Sequence, residues 1–300
     1  MMKENSKISM NKATTQTHTQ TTKTTTQATK KTTQSTRVKI PSKILVTITF
    51  LIMLTVNALA NILPINGQGT GAVSDSYPNL FAPAGITFAI WGLIYLLLLG
   101  FTLYHCGLFQ STKDTMDANA LGKIGIVFAI SSLLNSAWIF AWHYNQIIIT
   151  IILMAGILLC LILINQTIIN SKLSTREKIF VRLPFSVYFG WITVATIANA
   201  TALFVSLDLN LFSVISETSW TVGIIVIGMI IGVITMIKNR DVAYGLVFVW
   251  AYSGILIKHT STVNGFSSKY PIVIITVIAC VFIFLVAEIY ILISKKRLNR

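Results

Sequence analysis

The 300-residue chain is 54% hydrophobic and only 11% charged, whereas a soluble domain carries roughly a quarter charged residues. Its formal net charge of +14 would suit nucleic acid, but the basic residues lie in a tail and in short gaps between apolar runs, so no patch with polar or aromatic readers is formed. Composition therefore excludes a soluble globular domain and a nucleic-acid partner. The cysteines, Cys106, Cys160 and Cys280, lack the paired spacing of a zinc site or disulfide framework and read as packing residues.

Residues 1–42 are dominated by Thr, Gln, Lys and Ser and hold too little apolar surface to offset the entropy of ordering a chain. They are expected to form a disordered basic cytoplasmic tail. Eight apolar windows follow, at 43–63, 86–107, 122–143, 147–170, 179–205, 215–237, 241–260 and 271–293. At 1.5 Å per residue, about 20 residues cross some 30 Å of hydrocarbon. The runs are too long for barrel strands, so the expected fold class is an all-α integral membrane bundle of about eight transmembrane helices. The fifth and seventh windows are the most polar and are expected to face other protein.

Lys and Arg set the expected orientation, because loops that stay in the cytoplasm retain them. Odd-numbered gaps counted from the tail hold 21 of the 23, and only Lys258 and Lys269 fall on the opposite side. Both termini are thus expected in the cytoplasm, with the protein multi-pass in the cell membrane. The 64–85 segment, rich in Gly, Pro, Ser and Asn, reads either as an outside lid or as a mobile connector.

Polar and aromatic groups inside spans are the functional short list, since an unsatisfied polar group in hydrocarbon is costly. Apart from Glu217 and Asp241 at window ends, Glu288 is the only carboxylate within a window and reads as a snorkelling or interfacially paired side chain. His105 and His143, at span ends beside Tyr104 and Tyr144, read as an interfacial belt. There is no nucleophile with a base, no His-x-x-x-His pair, no glycine-rich phosphate loop and no carboxylate pair, so no enzyme is expected.

The aromatics are more informative. Asn135, Trp138 and Trp142 share one face of the third span, and Trp191, Ala195, Ala198, Asn199 and Ala202 share one face of the fifth. Such faces either pack two helices closely, with the Asn amide as a bridge, or leave a slot where a flat ligand lies against Trp. The second span adds Trp91 and Tyr95 after Pro83.

At these residues the chain resembles the TspO/MBR family, the tryptophan-rich sensory and translocator proteins. The resemblance rests on Tyr188-Phe-Gly-Trp191-Ile-Thr-Val-Ala195-Thr196-Ile-Ala-Asn199, on Leu134-Asn135 with Trp138, and on Pro83 followed by Ile90-Trp91-Gly92 and Tyr95. It covers residues 43–205 and implies a five-helix core, with residues 206–300 as three additional helices and a short basic C-terminus. It further implies a pocket for a flat hydrophobic ligand, porphyrin-like, haem-like or sterol-like, among Trp91, Tyr95, Asn135, Trp138, Trp142, Tyr188, Trp191, Ala195 and Asn199. No cofactor is required in this reading, although a bound porphyrin or haem is a candidate. The expected partners are the lipid bilayer and a small hydrophobic molecule, with a second copy of the chain as a further candidate. The alternative function is a multi-pass secondary transporter for a small neutral or apolar solute.

Overall fold

The computed structural model describes residues 38–63, 65–207 and 215–298, with side chains as far as Ser294. The expected disordered tail therefore falls mostly outside the described residues, and Ile40–Ser42 at its end already belong to the first helix. Eight helices are long and apolar enough to cross a membrane. They are α1 (Ile40–Ile62), α2 (Ile90–Cys106), α3 (Ala118–His143), α4 (Ile147–Ile169), α5 (Leu183–Ser206), α6 (Glu217–Asn239), α7 (Val242–Thr260) and α8 (Pro271–Leu298). No strand occurs among the described residues. The chain is an all-helical, multi-pass membrane protein.

The helix boundaries follow local chemistry. Asp117 caps α3 by accepting from the Asn119 and Ala120 amides, and Ser216 and Asp241 cap α6 and α7 in the same way. Gly107, at φ 105°, ends α2 in the left-handed region that glycine adopts without strain. Pro184 lies in the first turn of α5, directly after a π-helical turn over Lys178–Arg182.

The first five helices close into a ring: α1 packs on α2 and α3, α3 on α4, α4 on α5, and α5 on α2. Half of its interior is filled by rings from four helices, Phe50, Phe101, Phe128 and Phe185, with centroids 4.7–6.3 Å apart. The last three helices pack on one another, and α7 joins them to α5. At that crossing a β-carbon on Gly190 would stand 2.9 Å from the Tyr244 carbonyl oxygen, so the two backbones touch. As their polar content predicted, α5 and α7 are among the most enclosed spans, with half of each apolar window buried.

One end of the bundle gathers the basic residues. Lys43 donates to the Cys106 carbonyl at 2.8 Å, Arg176 to Phe109 at 3.0 Å and Arg182 to Asn239 at 2.8 Å. The loops there are tied by acids. Glu177 is buried and accepts the Met116 and Ser174 amides at 2.7 and 2.6 Å. Burial alone would raise the Asp114 carboxyl, but hydrogen bonds from the Ser111 amide and the Ser174 and Tyr104 hydroxyls hold it below the usual carboxylate value.

The interfacial-belt reading of the two histidines does not survive. His105 and His143 are fully buried. His105 Nε2 lies 3.1 Å from the Ser42 hydroxyl, and its ring wedges against Gly125 of α3, joining three helices. A histidine at a span end has the same sequence context whether it faces lipid headgroups or a neighbouring helix, so periodicity could not separate the two. Glu288 is likewise buried, with Gly245 of α7 leaving room for its carboxylate. It does not snorkel to a surface.

Candidate functional site

The half of the ring away from the phenylalanine cluster is built differently. Asn57 of α1 donates to Asn135 Oδ1 of α3 at 2.7 Å, and the Asn135 amide reaches the Tyr188 hydroxyl of α5 at 3.4 Å. All three residues are buried, so this amide relay ties α1, α3 and α5 where hydrocarbon offers no other partner.

Beyond the relay lies a cavity of about 280 Å³, lined by Asn57 and Asn61 of α1, Phe88 and Ala89 just before α2, Trp91 and Tyr95 of α2, Thr70 and Gly71 of the connecting loop, and Ile139. Trp91 organises its wall. It stacks on Tyr95 at 5.4 Å and meets Tyr188 and Trp191 edge-on at 6.0 and 6.2 Å. Phe88 meets Trp191 edge-on at 6.0 Å. The four sequence-predicted residues Trp91, Tyr95, Tyr188 and Trp191 thus form one contiguous cluster, joined to Asn135 through Tyr188.

The remaining predicted residues separate from that cluster. Trp138 and Trp142 stack on each other at 5.4 Å, and the Trp142 indole donates to the Thr70 carbonyl at 3.2 Å, holding the loop over the cavity. Asn199 donates to the Thr150 hydroxyl of α4 at 3.1 Å, a helix-to-helix tie. Ala195 is half-buried and outside the cavity lining. Asn57, Asn61 and Thr70 were missed by sequence reasoning. The signal for Asn57 was an amide inside an otherwise apolar run, as informative as Asn135 but without a tryptophan beside it.

The loop of residues 65–89 is an ordered roof. A short helix, Thr70–Asp75, covers the cavity, and a 3-10 turn, Gly85–Ala89, leads into α2. His143 Nδ1 donates to the Ile65 carbonyl, its Nε2 meets the Thr70 hydroxyl at 3.2 Å, and Asn66 donates to the His143 carbonyl. These contacts fasten the roof to the end of α3, so the loop is no loose connector.

Several buried polar atoms of the predicted residues have no hydrogen-bond partner within the protein: the Tyr95 hydroxyl and Trp191 indole N–H of the cluster, and outside it the Trp138 indole N–H and Asn199 Oδ1. Orphaned polar groups of this kind are uncommon in a finished core and are usual where a ligand or water completes the bonding. No ionisable side chain other than Tyr95 lines the cavity. Among the described residues no group of three or more His, Cys, Asp and Glu could hold a metal ion.

The sequence profile of the family described as TSPO-like protein matches residues 43–290. The chain belongs to that family. The match runs through all eight spanning helices, beyond the region that carries the tryptophan and asparagine motifs. Comparison with curated proteins and with solved structures gives no match. Within this TSPO-like chain the aromatic cluster and the amide relay both lie in the five-helix ring, and α7 makes the most extensive contact of the last three helices with α5.

Proposed function

We propose that this TSPO-like protein binds, without transforming it, a flat and largely apolar molecule in the cavity beside Trp91. The supporting observation is the cluster of Trp91, Tyr95, Tyr188 and Trp191 at a cavity whose neighbouring Tyr95 hydroxyl and Trp191 indole lack protein partners. Aromatic faces would stack on a planar ligand, and the orphaned donors would hold a neutral polar edge such as a carbonyl.

The family resemblance implies tetrapyrroles or sterols, and the cavity permits a fit test. At about 280 Å³ it is just under the roughly 300–1,000 Å³ of ordinary ligand sites and small for a macrocycle. No cation lines it to meet propionates, and no histidine lines it to ligate haem iron. The residues therefore suit a smaller neutral planar molecule better than haem, and no axial ligation is assigned.

The purified protein should show saturable quenching of tryptophan emission by at least one of protoporphyrin, haem, cholesterol and flavone, weakened by Trp191→Ala. Absence of binding across that panel would sink the proposal. Counterflow of the bound compound in proteoliposomes, expected to be absent, would instead favour a permease. From the charge partition we further infer residence in the cell membrane with the basic end of the bundle, and both termini, in the cytoplasm. Thiol labelling of cysteines placed at Gly107 and Gly265 in intact cells checks that assignment.

A further inference from the structure

We propose that α7, from the three-helix segment beyond the ring, is a working part of the ligand site, because it fixes the Gly85–Ala89 turn that walls the cavity. The claim deepens the binding function above and rests on it for its ligand-dependent half.

Four contacts carry it. The Ala84 amide donates to the Gly254 carbonyl at 3.0 Å, and the Trp250 indole donates to the Thr87 carbonyl at 2.9 Å. His259 Nε2 donates to the Leu80 carbonyl at 2.9 Å, and Lys258 Nζ meets Asp75 Oδ1 at 3.1 Å. Two of the four anchors hold the turn or its first approach, and the other two hold the segment before it. The Lys258–Asp75 pair adds least, because the Asp75 side chain is 61% exposed and exposed pairs contribute little.

Steric fit makes the clamp specific. A β-carbon on Gly254 would fall 2.0 Å from Thr87 Oγ1 and 2.7 Å from its Cγ2, so only glycine lets the turn sit against α7. Thr87 is 1% exposed, and its hydroxyl has no hydrogen-bond partner. Its burial is therefore a packing fit. Phe88, the next residue, lines the cavity and packs edge-on against Trp191. In a single 3-10 turn Thr87 cannot move without carrying Phe88 and Ala89, so the α7 surface sets the position of the wall. α7 is itself held on α5, through Tyr244 on Thr193 and Ser186 on Asp241, and is a fixed reference for that wall. Trp250, Gly254 and His259 are accordingly positioning residues, acting on the ligand through the turn.

Two measurements on the full chain test this. The first needs no ligand: Thr87→Cys is introduced with Cys106, Cys160 and Cys280 replaced by alanine. Labelling by a membrane-impermeant maleimide should be slow with α7 intact and at least tenfold faster when Trp250→Phe and His259→Leu are added. Equal rates would overturn the clamp. The second uses whichever of protoporphyrin, haem, cholesterol and flavone quenches wild-type tryptophan emission. Gly254→Ala should weaken its Kd at least tenfold, and Gly254→Ala with Thr87→Ala, which removes the two nearest clashing atoms, should recover part of the loss. Rescue by the second truncation would place the lesion at this contact and not elsewhere in the fold. Unchanged affinity in Gly254→Ala would overturn the role of α7 in binding. If no compound binds wild type, the proposed function fails, while the labelling experiment still decides whether α7 holds the turn.

Discussion

Asn57 and Asn135 meet side chain to side chain at 2.7 Å across α1 and α3, and Asn135 passes the contact on to Tyr188 of α5. Three of the five ring helices are thereby registered by one buried amide pair, at the level where the filled phenylalanine core gives way to the cavity. The relay holds the ring, and Asn57, one of its members, also lines the cavity.

Asn135→Ala leaves Asn57 and Tyr188 without their shared partner. It should cost about 1–2 kcal/mol, between the weak average of interhelical bonds in membranes and the full loss of a buried partner. Reversible unfolding in detergent measures it. A cost below a few tenths would mean that water replaces the amide.

Gly125→Ala should be destabilising by about 1–3 kcal/mol through overpacking. The new β-carbon would lie 2.3 Å from His105 Cε1 and 3.0 Å from Val46 Cγ2, at the meeting of α1, α2 and α3. Gly223→Ala in α6 has nothing within 4 Å and should be neutral or stabilising by up to about 1 kcal/mol. Melting temperatures of the two variants should move in opposite directions or differ clearly in size.

Trp142→Phe keeps the ring against Trp138 but removes the donor to the Thr70 carbonyl. Amide exchange over residues 65–76 should quicken, by about tenfold if the lost bond is worth roughly 1.4 kcal/mol, while exchange in α4 stays unchanged. Equal acceleration in both segments would point to global loosening and contradict a local tie.

Asp114 gives a pH signature. Its folded carboxyl titrates below the usual Asp value of roughly 3.9, so the stabilisation it provides is complete above that value and is lost as pH falls through the folded one. The melting temperature of wild type should fall more steeply with acidification than that of Asp114→Asn, the two converging at the acid end. Parallel profiles would mean that the carboxylate does not hold the Ser111 and Ser174 contacts in solution.

Sequence alone determined the eight spans, the gathering of Lys and Arg in alternate gaps, and the aromatic and amide residues worth examining. These properties are local: apolar length is counted along the chain, and a polar group within a span is conspicuous wherever it points. It also ranked α5 and α7 as protein-facing, because polar side chains in hydrocarbon must find protein partners. Tertiary structure alone decided which candidates share a site. Trp91, Tyr95, Tyr188 and Trp191 converge, Trp138 and Trp142 hold the roof instead, and Asn199 serves a helix contact. The reason is that each of these pairings joins residues from different helices, and a helical face records only that a side chain points inward, never which neighbour it meets. The same limit hid Asn57, the buried histidines and the seat that Gly254 of α7 provides for Thr87, a contact between residues 167 positions apart in the sequence.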